Sequence, residues 1–329
     1  MKKKNTLFSQ AIKDATEQAM NINKNVFIMG QLIDYSPGAF GTTKDLINKF
    51  GPDRVRDFPA SESAMTSAAI GASISGKRPI LVHMRTDFMI YSLDAIVNWL
   101  SMWRFKTYKK SSSPLVIRVI VGKGWGQGPQ HSKSIHSWFA NLPGINVVMP
   151  STPFDVKGLL IDAIFSNTPT IIVEHRSLFN LSEKIPIEPY SVPIGKGVIR
   201  RHGKDLSIVT FGSAVVDCMK AASSLKEKYN LNAEVVDLRS LKPLDKKIIF
   251  KSLKKTKRLI VVDAGWLSYG AASEIVSLVS ENKNLKLISK PKRICLPDSH
   301  TPMSEFLEKK YYFNADIIVS KIQKTFKRN

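Results

Sequence analysis

"DFPASESAMTSAAIGASISGKRPILVHM" (residues 57–84) places a run of Ala, Ser, Gly, Met and Ile directly before a strand-like apolar run. From Ser63 onward the small and aliphatic positions fit a tightly packed helix, and "RPILVHM" reads as a strand. The same rhythm extends outward in both directions. "NVFIMG" lies before it, and "PLVIRVIVG", "INVVMP" and "PTIIVEH" lie after it, separated by amphipathic stretches. Strand runs alternating with helical patterns predict a parallel sheet covered by helices.

After Ser182 the character changes. "EKIPIEPYSVPIGKG" carries three prolines in a polar, extended context, which reads as an interdomain linker. The alternation then restarts with "LSIVTFG", "AEVVDLRSL", "RLIVVDAG" and "KLISKPKRICLP", separated by helical patterns such as "AVVDCMKAASSLKEKY" and "GAASEIVSLVSE". The expected architecture is α/β in two domains: residues 1–185, a linker at 186–195, and a smaller α/β domain at 196–329. A chain of 329 residues, 43% of them hydrophobic, is long enough to bury two such cores.

The basic start "MKKK" resembles a signal peptide, but Lys13, Asp14 and Glu17 interrupt any apolar core, and no stretch approaches the ~20 apolar residues of a membrane span. A soluble, cytoplasmic protein without membrane contact is expected. Cys218 and Cys295 stand in unrelated contexts, so neither a disulfide framework nor a zinc site is indicated. The formal charge of +22 raises nucleic-acid binding. Against it, the basic residues are scattered through "MKKK", "YKK", "KSLKKTKR", "SKPKR" and "KTFKRN" without one aromatic-interleaved patch.

Three places carry candidate chemistry. Glu62 falls in the first turn of the helix that follows "FPAS". One reading makes Ser61 the cap and Glu62 a carboxylate facing the helix dipole. The other makes Glu62 a partly desolvated acid suited to proton exchange. The second place is "VGKGWGQGPQHSKSIHSW" (121–138), a Gly-rich loop at the carboxyl end of a strand, where ligands of open parallel sheets bind. It favours His131 as a site residue. "SKSIHSWF" reads as the start of a helix that carries His136 along it, with the protein surface as the plainer setting for that residue. The glycines match no phosphate-binding fingerprint. The third place is "HMRTDFMIYSLDAIVNWLSMW", a strand end turning into an amphipathic helix with Trp99 and Trp103 in the core. His83, Arg85 and Phe88 sit at that turn, and His83 and Arg85 are positioned to approach an anionic substrate. No metal-ligand cluster is apparent in this chain.

Taken together, "FPASESAMTSAAIGASISGKRPI", "DFMIYSLDAIVN", "GPQHS", "LPGINVVMPSTPFDVKGLL", "PTIIVEHRSLF", "EVVDLRSLKPLD", "VVDAGW" and "GAASEI" resemble one family. It is the beta subunit of the thiamine-diphosphate-dependent decarboxylating component of 2-oxo acid dehydrogenases, of the pyruvate dehydrogenase type, related to transketolase. The resemblance implies a pyrimidine-binding transketolase-like domain followed by a transketolase C-terminal domain. It implies that Glu62 hydrogen-bonds the cofactor's aminopyrimidine and relays a proton, that Phe88 stacks on that ring, and that His131 assists the reaction and acyl transfer. The family's Gly-Asp-Gly diphosphate and Mg2+ motif is missing from this chain. An alpha subunit is therefore expected to bring the metal ligands, in an α2β2 heterotetramer, with a small 2-oxo acid as substrate and a lipoyl acyltransferase as a further partner.

Several positions depart from the family. Gln31 replaces an acid thought to link the two active sites. Ser166 and Thr168 stand where relatives place groups near a structural monovalent cation, and His83 and Arg85 add polarity beside the substrate. The positive charge departs from the acidic surface that usually docks the acyltransferase. An alternative is a two-chain transketolase-like or acyloin-forming transferase that passes an activated aldehyde to a small acceptor. A distant alternative is a basic, non-catalytic nucleic-acid-binding protein.

Overall fold

The computed structural model describes residues 2–124 and 126–326, which divide into two compact units. The first comprises 1–123 and 138–194, and the second 124–137 and 195–329.

In the first unit, β1 (Lys3–Leu7) enters as an edge piece, followed by β2 (Val26–Gly30), β3 (Val55–Asp57), β4 (Arg78–His83), β5 (Val116–Val121), β6 (Asn146–Val148) and β7 (Thr170–His175). Strands β2 to β7 form a wholly parallel sheet in the order β6-β7-β5-β4-β2-β3. Every residue of β5 and β7 is buried. Such runs are near-continuous in Val and Ile because both faces of the sheet are covered. Helices Phe8–Ile22, Glu62–Ile74 and Pro153–Phe165 are among the elements that supply the cover. The last is well specified locally: Pro153 opens it, and the Thr152 hydroxyl accepts the Asp155 N–H at 3.1 Å.

The unit closes with β8 (Ser182–Pro186), antiparallel to β1 from Lys3↔Pro186 to Leu7↔Ser182. The proline-rich stretch that follows lies along the helix Pro153–Phe165. Gly158 leaves room for it, since a Cβ there would collide with Val192 Cγ2. The Tyr190 hydroxyl donates to the Phe154 carbonyl at 2.9 Å, and the fully buried Lys157 ammonium donates to the carbonyls of Pro186 and Ile187.

One expected element is different. The amphipathic helix read from "DFMIYSLDAIVNWLSMW" is a chain of short turns: an α-helix at Thr86–Met89, a 3-10 turn at Ile90–Ser92, a π-helical stretch at Ala95–Leu100 and an α-helix at Trp103–Lys106. Each change of winding resets the angular phase, so side chains do not stay on one face. Trp99 is accordingly half exposed, with the Lys106 ammonium 4.9 Å from its ring, and is not a core residue. Trp103 is part-buried and donates its indole N–H to Ser111 Oγ.

The second unit holds β9 (Val198–Arg201), β10 (Leu206–Thr210), β11 (Ala233–Asp237), the short β12 (Ser240–Lys242), β13 (Leu259–Trp266) and β14 (Lys292–Leu296). Its five-stranded sheet has the order β14-β13-β10-β11-β9, parallel except for the antiparallel edge strand β9. Helix Ala214–Tyr229 packs Cys218, Ala221, Ala222 and Leu225 into a core shared with Val235, Val262 and Ile318. Both cysteines are buried and free. Among the described residues, no helix is long and apolar enough to cross a membrane.

Candidate active site

In a parallel β-loop-α unit, the loop and the helix N-terminus lie at the carboxyl edge of the sheet. At that edge of the first unit, Gly30 ends β2 at φ +150°. A Cβ there would collide with the Val82 carbonyl oxygen of β4, so only glycine permits this approach. The next residue reaches the candidate acid: Gln31 Nε2 donates to Glu62 Oε1 at 3.0 Å. Glu62 is half-buried and is the first residue of helix Glu62–Ile74. Ser61 occupies the cap position, but its hydroxyl makes no capping bond. Its backbone (φ −148°, ψ 75°) is outside the extended geometry that turns a cap hydroxyl toward the free amides. The acid is thus oriented by a side-chain amide from the β2 loop.

One turn along the same helix, the buried Thr66 hydroxyl donates to Ser92 Oγ at 2.9 Å and therefore accepts from His83 Nε2 at 3.1 Å. That assigns the proton to Nε2 and leaves Nδ1 a lone pair without a partner among the described residues. His83 ends β4 with no exposure, and burial pushes its pKa down to about 3. It stands there as a neutral ring.

Arg85 is 7% exposed and donates to the Met84 carbonyl at 2.8 Å. Its guanidinium lies 5.0 Å from the Phe40 ring, and that of Arg176 lies 4.9 Å from the same ring. Burial lowers the pKa of both, and for Arg85 the nearby Asp87 opposes and Arg176 reinforces the shift. Phe40 itself has φ 50°, in the left-handed region. Its loop is tied to the sheet by Arg118 of β5, which forks onto Glu174 of β7 at 2.5 and 2.9 Å and donates to Thr42 Oγ1 at 2.9 Å. Phe88 is half-buried in the Thr86–Met89 helix. His175 ends β7, beyond β5 in the sheet, and its Nδ1 accepts from the Ser177 amide and hydroxyl; burial, then Lys123, brings its pKa down to about 3. The first unit therefore gathers Glu62, His83, Arg85 and Phe88 at strand and helix ends along one sheet edge. Sequence reasoning gave no role to Phe40, Arg118, Glu174 or Arg176. The signal for two of them was present: a charge inside each of the apolar runs "VIRVIV" and "TIIVEH" demands a buried partner.

His131 belongs to the second unit, in the segment 124–137. It is half-buried and follows a short 3-10 turn at Gly128–Gln130. The Glu308 carboxylate accepts the N–H of Gly124 at 2.7 Å and of Gly126 at 3.1 Å. The expected helix begins later than "SKSI": it starts at His136. His136 is fully buried rather than superficial, because its Nε2 lies 3.0 Å from Asp263 Oδ1 and its Nδ1 3.0 Å from Ser134 Oγ. Among the described residues, no group of three or more His, Cys, Asp or Glu is arranged to hold a metal ion.

Comparison with known proteins finds two domains, the first of which includes the segment 124–137. The chain matches the transketolase pyrimidine-binding domain over residues 5–182 and the transketolase C-terminal domain over residues 195–318. It is 39% identical to the beta subunit of acetoin:2,6-dichlorophenolindophenol oxidoreductase of Cupriavidus necator, covering 96% of each chain. It is 36% identical to the pyruvate dehydrogenase E1 beta subunit of Bacillus subtilis, covering 90% of this chain and 91% of that one. The beta subunit of 2-oxoisovalerate dehydrogenase from the same organism is 34% identical over 94% of this chain and 95% of its own. A solved structure described as a split gene transketolase, an inactive beta4 tetramer, superposes with a TM-score of 0.80 at 20% identity, covering 97% of this chain and 98% of that chain, which shows the shared fold. The chain belongs to the transketolase-like beta subunits, the family that includes those of the pyruvate, 2-oxoisovalerate and acetoin enzymes.

Proposed function

We propose that this chain is the beta subunit of a cytoplasmic, thiamine-diphosphate-dependent enzyme that decarboxylates a small 2-oxo acid, pyruvate being the first to test, and passes the acyl group to lipoamide. The observation that carries this reading is the Gln31–Glu62 hydrogen bond at the carboxyl edge of the first sheet. It engages Oε1 and leaves Oε2 to accept from a ligand. A half-buried carboxylate with one oxygen held and the other free to accept, together with the half-buried ring of Phe88, fits the aminopyrimidine end of thiamine diphosphate. The bound cofactor supplies the carbanion chemistry. Glu62 holds and moves a proton at the pyrimidine ring, Phe88 presents the apolar face, and His131 serves proton transfer on the substrate side.

The diphosphate end calls for a second chain, since this sequence has no Gly-Asp-Gly motif for a Mg2+ ligand. An alpha-type subunit in an α2β2 assembly completes the enzyme, and a lipoyl acyltransferase receives the product. A second reading, transfer of the activated aldehyde to a small acceptor, is favoured by the similarity to the acetoin enzyme. Co-expression with an alpha-type chain, followed by decarboxylation of 2-oxo acids with an artificial electron acceptor, tests the proposal. Activity dependent on added thiamine diphosphate and Mg2+ supports it; a pair that binds no thiamine diphosphate refutes it. Turnover of acetoin in preference to 2-oxo acids selects the second reading.

A further inference from the structure

Within the second unit, the segment 124–137 is fastened at both ends by carboxylates that lie far along the chain. At its start, Gly124, Gly126 and Gly128 have φ of +82°, +63° and +66°. Such a run has little conformational preference of its own, so ordering it carries an entropy cost that its contacts must offset. Glu308, 3% exposed, accepts two of these amides, one on each oxygen. A bond from an amide to an ionised carboxylate is stronger than a neutral one. Gly128 lies against Met303, whose Cγ would collide with a Cβ at that position.

At the other end, Asp263 accepts the amides of Gly265 at 2.7 Å and Ala272 at 3.3 Å and faces His136 Nε2. A carboxylate is an acceptor here, so Nε2 carries the proton and Nδ1 accepts from the Ser134 hydroxyl. The imidazole also meets the Phe211 ring edge-on at 5.5 Å, and Gly265 leaves the space it fills, since a Cβ there would lie 3.0 Å from His136 Cε1. Ser137 adds a bond to the Ala271 amide at the start of helix Ala271–Ser280. His131 lies between the two fastenings.

We propose that Glu308 and Asp263 are positioning residues that fix the segment 124–137 and thereby set the place of His131. The C-terminal domain then shapes catalysis and is more than an assembly module. The proposal rests on the role given to His131 above, and its test separates the two. In Glu308→Gln one acceptor oxygen becomes an amide that cannot receive a backbone N–H. Hydrogen exchange of the peptide spanning 122–137, measured on this chain alone, is expected to speed up at least tenfold, while the β13 core strand keeps its protection. Unchanged exchange in that peptide overturns the proposal whatever the enzyme does. Asp263→Asn provides the same measurement from the other end if the first variant folds poorly.

In the assembled enzyme, Glu308→Gln is expected to lower kcat by about ten- to a hundredfold with little change in KM, the signature of a displaced catalytic group. The decisive comparison is the double variant with His131→Ala. A positioning residue acts through His131, so adding Glu308→Gln to His131→Ala should cost nothing further. Additive losses overturn the proposal. A wild-type assembly that binds no thiamine diphosphate refutes the functional reading while leaving the exchange result to stand.

Discussion

Replacing His83 by Gln should flatten the acid sensitivity of this protein. The buried His83 is neutral in the folded state, with a pKa near 3 against an ordinary value of 6.5. The unfolded chain therefore takes up a proton below pH 6.5 that the folded chain refuses. The sign follows: the stability is complete above pH 6.5 and is lost as pH falls toward 3. Each pH unit in that window removes about 1.4 kcal/mol, or about 2 kcal/mol by pH 5 and about 5 kcal/mol by pH 3. His175 is depressed to the same value by burial and by Lys123, so the two together cost about 4 kcal/mol at pH 5. Against a typical stability of about 5–15 kcal/mol, that brings unfolding within reach of mild acid. The side-chain amide of the His83→Gln variant would still donate to Thr66 but has no proton to take up. Urea unfolding of wild type and His83→Gln at pH 7, 6 and 5 should show the variant losing about 2 kcal/mol less between pH 7 and 5. Parallel pH dependences would refute the neutral, buried histidine.

Glu62→Gln should leave the urea midpoint close to wild type and lower turnover of the assembled enzyme by about 10²–10⁴-fold, as expected when a proton-transfer group is lost; near-normal turnover would remove Glu62 from the chemistry. Arg118→Met strands a fully buried Glu174 carboxylate and should destabilise the chain by about 3–5 kcal/mol, read as a lowered urea midpoint. The further change Glu174→Leu should recover most of that loss, and a double variant no better than the single would show that the ion pair is not the cause. Arg85→Ala should raise KM for an anionic substrate more than it changes kcat; an unaltered KM would assign Arg85 to holding Phe40 in place.

How much of this was legible in the sequence depended on the range of the signal. The strands "RPILVH", "VIRVIV" and "TIIVEH" announce themselves by composition, and their alternation with helices gives the parallel sheet. The stretch from Thr86 to Lys106 misled because hydrophobic periodicity assumes one constant winding, and the chain there changes from α to 3-10 to π. The proline-rich stretch reads as a linker, yet Tyr190 and Val192 inside it dock on helix Pro153–Phe165. Glu62 was visible as a first-turn acid, whereas its partnership with Gln31 was not, since the bond spans the β2 loop and is specified by three dimensions. The same limit hid His136: its partner Asp263 is 127 residues away, so it read as a surface residue.

The pairing of β1 with β8 has a consequence for how the protein is made. Its rungs join residues 3–7 to residues 182–186, so β1 leaves the ribosome well before the strand of the first unit that pairs with it. Until the chain has emerged through Pro186, Lys3–Leu7 is an unpaired edge on an open nascent domain, exposed to capture by other chains. Its sequence, "KKNTL", is two lysines followed by polar residues and a single leucine, and like charge on an edge strand discourages wrong pairing. The lysines that first read as part of an export signal are in this light a guard against pairing with other chains until the closing strand arrives.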